Sequence, residues 1–155
     1  MLGLTAPLAV LAACSTSADS TGTDGSPAPA GSTGDGGQVD DQAVQEADLV
    51  ALYDAALAAF PDTAVTGLLR TVRDQHAQHL DALGGATSTG AASVPATLTA
   101  ALTALAATER EASRSRVRAC VAAGDPENAR VLSLIAASEA SHVPALRAAR
   151  KDLGA

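Results

Sequence analysis

From about residue 40 onward, apolar residues recur at steps of three and four, the spacing of one helical face. The first such stretch, about 40 to 60, carries Glu46, Leu49, Val50, Tyr53, Leu57 and Phe60 on that face, with Asp40 or Asp41 placed to cap its start. Pro61-Asp62 breaks it. A second stretch, about 63 to 83, aligns Val65, Leu68, Leu69, Val72, His76, His79, Leu80 and Leu83, and Gly84-Gly85 stops it. The third, about 95 to 123, turns Leu98, Leu102, Leu105, Glu109 and Cys120 inward. Gly124-Asp125-Pro126 then reads as a stop and a restart, with Asp as cap and Pro in the first turn. The fourth stretch, about 126 to 152, lines up Leu132, Ile135, Glu139, His142, Leu146 and Ala149, and Pro144 interrupts its ladder just beyond His142. Short links within each pair and a longer one between them predict an all-α protein, an antiparallel four-helix bundle made of two related helix pairs.

The apolar faces are not purely apolar. Glu139 and His142, three residues apart, are neighbours on one face and point where a core belongs. A bundle tolerates this only if each ionisable group finds a partner, because an unpaired buried charge costs several kcal/mol or neutralises. The partners follow from a repeat. Shifting the chain by 63 positions lays Glu46 on Glu109, Asp62 on Asp125, His79 on His142 and Leu83 on Leu146, with His76 falling on Glu139. Folding each pair at its turn brings Glu46 level with His76 and His79, and Glu109 level with Glu139 and His142. Six ionisable residues are thereby expected in one layer of the core.

A Glu on one helix and Glu-x-x-His on the next, given twice, resembles the ligand plan of ferritin-like di-metal carboxylate proteins. The second pair fits at Glu109, Glu139 and His142; the first fits at Glu46 and His79 but carries His76 where that plan has Glu. The phrases Leu49-Val-Ala-Leu-Tyr-Asp-Ala, Arg73-Asp-Gln-His-Ala-Gln-His-Leu and Ala137-Ser-Glu-Ala-Ser-His also resemble a family of exported bacterial lipoproteins with a ferritin-like domain and no assigned activity. The resemblance implies the fold and a metal-ligand set of Glu46, His76, His79, Glu109, Glu139 and His142. It does not extend to oxygen or ferroxidase chemistry. With His76 the set holds three carboxylates and three imidazoles, less anionic than the di-iron plan. It suits one ion, zinc or a single iron or manganese, better than two ferrous ions.

A metal-free reading stands beside this one, in which each imidazole pairs with a carboxylate and the network fixes register. Arg116 lies seven residues past Glu109 on the same face and could reach in; Tyr53 could donate near Glu46, though a core-edge tyrosine with a wet hydroxyl is the simpler expectation. Glu111, Arg110 and Arg114 read as solvated surface.

Composition narrows the class further. One Tyr, one Phe and no Trp leave a core of Leu, Val, Ile and Ala, which favours close-packed helices over a sheet. A formal charge of −7 argues against a nucleic-acid partner. No Gly-rich phosphate loop or Gly-x-Ser-x-Gly elbow is present, and a hydrolase is not supported. At the N-terminus, apolar residues 1 to 13 end in Leu11-Ala12-Ala13-Cys14, which resembles a bacterial lipobox, although no Lys or Arg lies between Met1 and Cys14. Acylation of Cys14 and a Ser/Thr/Gly/Pro linker through residue 39 would tether the domain of residues 40 to 155 to the bilayer on the extracytoplasmic face of the cell membrane. Cys120 is then left as a small buried hydrophobe. Two functions fit: a metal-binding ferritin-like lipoprotein, or a non-catalytic helical module for interaction or structure.

Overall fold

The computed structural model describes residues 35–154, so Cys14, the leader and most of the linker lie outside the described residues. Four helices follow one another: α1 (Asp35–Ala59), α2 (Thr66–Ala82), α3 (Leu98–Ala122) and α4 (Pro126–Asp152). They form an all-α bundle in which α1 packs closely on α2 and α3 on α4.

The helix ends show which sequence signals act. α1 starts five residues before the expected boundary, so Asp40 and Asp41 lie inside it and neither is a cap. Val39 explains the extension: it adds one more apolar position to the stripe and packs against the cluster of Ala43, Leu83, Ala119, Leu132 and Ile135. α2 starts later than expected, at Thr66, because the Thr66 hydroxyl is committed to the turn, donating to the Pro61 carbonyl at 3.1 Å and accepting from the Thr63 amide at 3.0 Å. At its other end the glycines behave as read. Gly84 and Gly85 adopt φ of 92° and 80°, and their amides return to the carbonyls of Asp81 (3.1 Å) and Leu80 (2.9 Å) in a Schellman closure. Thr97 caps α3 through Ala100, and Asp125 caps α4 through Asn128 with Pro126 behind it. α4 continues through Pro144; that residue and Ala140, whose carbonyl loses its donor, are both exposed, where water can bond the freed oxygen.

Two apolar clusters fill the bundle. One gathers Tyr53, Leu69, Val72, Leu102, Leu105 and Leu146; the other gathers Ala43, Leu83, Ala119, Leu132 and Ile135. Followed along the chain, α1 and α4 run from the second cluster to the first, while α2 and α3 run from the first to the second. Each hairpin is therefore antiparallel, and the segment 83–97 must cross the length of the bundle. It does so along α1, where Asp48 accepts from Ser88 (2.7 Å) and from the Thr89 amide (2.8 Å), before Val94 packs on the first cluster. This crossover sets α1 antiparallel to α3, so residues seven apart on one helix exchange levels with residues on the other. Cys120, expected to be buried, is only half-buried: it packs beside the second cluster and its thiol donates to the Ala129 carbonyl. Among the described residues no helix is long and apolar enough to cross a membrane.

Candidate metal centre

Between the two apolar clusters lies the expected polar layer. Glu46, His76, Glu109, Arg116, Glu139 and His142 are all buried within it, and His79 stands at its edge with 14% of its side chain exposed. Helical spacing delivers them: His76 and His79 share one face of α2, Glu139 and His142 one face of α4, and the glutamates of α1 and α3 meet them at the same height.

Glu109 is the hub of one side. Its Oε1 accepts from the Tyr53 hydroxyl at 2.5 Å and from His76 Nε2 at 2.9 Å, and its Oε2 accepts from His142 Nδ1 at 3.0 Å. Burial alone would raise this carboxyl. The bonds from His142 and His76, with their charge, instead lower it to about 2. Tyr53 corrects the expectation of a wet hydroxyl: its side chain is fully buried and it serves Glu109, not Glu46 on its own helix. The antiparallel setting of α1 and α3 is the reason. Burial and the adjacent Glu109 hold its phenol far above the ordinary range, so it stays a donor.

His76 bridges the two glutamates. Nδ1 faces Glu46 Oε2 at 2.8 Å while Nε2 faces Glu109. Both nitrogens donating means an imidazolium, and although burial opposes the charge, the two carboxylates raise its pKa to about 9. His142 uses its second nitrogen on Gln75 Oε1 at 2.8 Å.

Arg116 organises the other side. Its guanidinium is fully buried; Nη2 donates to Glu46 Oε1 at 3.0 Å and lies 3.6 Å from Glu139 Oε1, while Nη1 donates to Gln42 at 2.5 Å and to Gln45 at 3.0 Å. Glu46 is held well below the usual carboxylate range: burial works against the charge, but the hydrogen bond from His76, the adjacent His79 ring and the Arg116 guanidinium prevail. Glu139 goes the other way. Neither of its buried oxygens has a hydrogen-bond partner in the layer, and burial, with Glu46 and Glu109 nearby, raises it to about 8 against the pull of Arg116 and His76. His79 Nδ1, 3.6 Å from Glu46, is likewise without a hydrogen bond.

Five of the six sequence-derived candidates fall into two trios among the described residues that could hold a metal ion: Glu46 with His76 and His79, and His76 with Glu109 and His142, each with its donor atoms within 4.8 Å of one another; Glu139 joins neither. The donor chemistry fits the second trio. In it, each histidine turns one nitrogen to the shared centre and gives the other to an oxygen acceptor, Glu46 or Gln75, which is how metal-bound histidines are oriented. Gln42, Gln45 and Gln75 were not among the sequence candidates. Gln42 sits four residues before Glu46 on the same face, a signal that could have been followed; Gln75, adjacent to His76, carries no such signal. Gln45 also opens onto a groove of ≈ 530 Å³ between α1, α3 and the crossover, floored by Leu49, Leu52 and Ala112. No protein-family model matches the chain, and neither a curated protein nor a solved structure matches it.

Proposed function

We propose that this chain is a lipid-anchored, extracytoplasmic lipoprotein of ferritin-like type whose helical domain binds a divalent metal ion in its core layer. The observation that carries the reading is the buried convergence of His76, Glu109 and His142 with both imidazoles oriented from behind. The single long crossover between two helical hairpins, as in ferritin-like bundles, supports the type. Two nitrogens and a carboxylate suit zinc, or a single iron or manganese. Such an ion would supply Lewis acidity or redox capacity to the layer; His76, Glu109 and His142 would hold it, with Glu46 and Gln75 fixing the rings. Acylation of Cys14 would place the domain at the bilayer surface.

Two measurements test this. The full-length chain, purified in detergent and exposed to zinc, iron or manganese, retains metal through gel filtration, and its melting temperature rises with metal concentration. Protein that emerges metal-free at every ion sinks the metal assignment. Cys14→Ala is expected to move the protein from the membrane fraction to the soluble one; unchanged fractionation would remove the anchor.

A second reading has its own support. His76 set between two carboxylates, and Arg116 between Glu46 and Glu139, make a network that pairs its charges without any ion. Under it the domain is a non-catalytic helical module for interaction or structure. Glu139→Leu would then leave stability unchanged or raise it, since a buried polar group without hydrogen bonds becomes a packed apolar one.

A further inference from the structure

The two halves of the layer are not equally open to a cation. On the Tyr53 side, the donors around Glu109 are a hydroxyl and two imidazoles, and imidazole nitrogens are themselves metal-ligand atoms. On the other side stands a guanidinium, which does not give up its charge. Arg116 Nη2 lies 3.0 Å from Glu46 and 3.6 Å from Glu139, and no part of the residue is exposed. The repeat makes the contrast sharper, because the residue matching Arg116 is Tyr53. The same position thus carries a neutral donor in one hairpin and a fixed cation in the other. Glu139 faces this cation with two oxygens that no hydrogen bond occupies, and His79 Nδ1 is unbonded beside Glu46.

We infer that the layer holds one divalent ion and not two: His76, Glu109 and His142 bind it, and the Arg116 guanidinium permanently fills the place of a second cation between Glu46 and Glu139. This rests on the metal-binding reading above and specifies its site and stoichiometry. It also predicts that the second place is latent. Removing the guanidinium leaves Glu46 and Glu139 with no cation between them, and His79 Nδ1 still 3.6 Å from Glu46.

The test is a zinc titration of the full-length protein by calorimetry, with bound metal counted after gel filtration. The wild type takes one equivalent. His142→Ala lowers affinity about 100-fold or more, while His79→Ala changes it less than about threefold, because only the first lies in the occupied trio. Arg116→Met takes two equivalents, and Arg116→Lys, which keeps the cation, stays at one. Two equivalents in the wild type, a folded Arg116→Met that still takes one, or loss of binding in His79→Ala with His142→Ala intact would each overturn the inference and leave metal binding standing. A wild type that binds no zinc, iron or manganese overturns the metal reading and this inference with it. Should Arg116→Met fail to fold by circular dichroism, the wild-type stoichiometry and the two histidine variants decide the matter alone.

Discussion

The α1–α2 and α3–α4 hairpins are built to one plan and differ where it matters. Both carry Glu, then His, at the same offsets, and both contribute to the same buried layer. Among the charged and aromatic groups of that layer, two positions break the correspondence: Tyr53 against Arg116, and His76 against Glu139. The two breaks compensate each other. One hairpin has exchanged an acid for a base, and the other has gained a cation beside the acid it kept. Because α1 and α3 are antiparallel, each donor serves the opposite hairpin's glutamate, Tyr53 on Glu109 and Arg116 on Glu46. The result is a layer in which the charges of Glu46 and Glu109 are met from within and Glu139 keeps its proton. A substitution that looks like damage to a motif in one hairpin is, in the assembled bundle, half of a matched change.

The comparison can be broken most forcefully at the glutamates. Glu109→Leu removes the acceptor of three donors and leaves His76 charged on that side; a loss of about 3–5 kcal/mol is expected from urea unfolding. Glu46→Leu should cost less, because Glu139 already lies 3.6 Å from Arg116 and can ionise to pair with it. Equal losses would show that the hairpins are more alike than their contacts suggest.

The pH dependence of the metal-free protein sharpens the same contrast. His76 is raised from 6.5 to about 9, so its contribution is complete below the ordinary value and is lost as pH rises through about 9. Glu139 is raised from 4.5 to about 8, so the folded state keeps that proton, and stability falls as pH rises between those values. Glu109 is lowered to about 2; its contribution is present above its ordinary value and disappears as pH falls towards 2. Stability is therefore expected to peak in mild acid, with a melting temperature roughly 5–10 °C lower at pH 9 than at pH 6. A flat profile over that range would contradict the protonation pattern of the layer.

Tyr53→Phe keeps the ring and deletes one hydroxyl. Loss of a hydrogen bond to a charged group is worth about 1.5–3 kcal/mol, read from denaturant midpoints. The smallest effect is expected from Glu139→Gln, within ~1 kcal/mol at pH 6, where the carboxyl is already protonated. That variant should also remove part of the alkaline fall, which is the more telling measurement.

Much of this was legible in the chain. The steps of three and four located all four helices, and Gly84-Gly85 and Asp125-Pro126 fixed two ends closely, because those residues act through their own backbone. The start of α1 was missed for the opposite reason. A Gly-rich lead reads as tether, and it is the packing of Val39 on other helices that draws it into the first turn. The convergence of Glu46, His76, His79, Glu109, Glu139 and His142 followed from periodicity and the repeat. So did the entry of Arg116, seven residues past Glu109 on the same face, into the layer. The partners of Arg116 and Tyr53 did not, since each acts on a helix remote in sequence.

What the sequence determined alone is the set of groups placed indoors: helical periodicity and a repeat of 63 residues dictate which acids and bases must share the core. Tertiary structure decided who holds whom. The direction in which the crossover of residues 83–97 returns the chain sets α1 against α3, and only that direction puts a guanidinium on Glu46 and a phenol on Glu109. Local pattern carries no information about that choice, because hydrogen bonds between distant helices depend on relative height and facing, and both are set by how the hairpins pack.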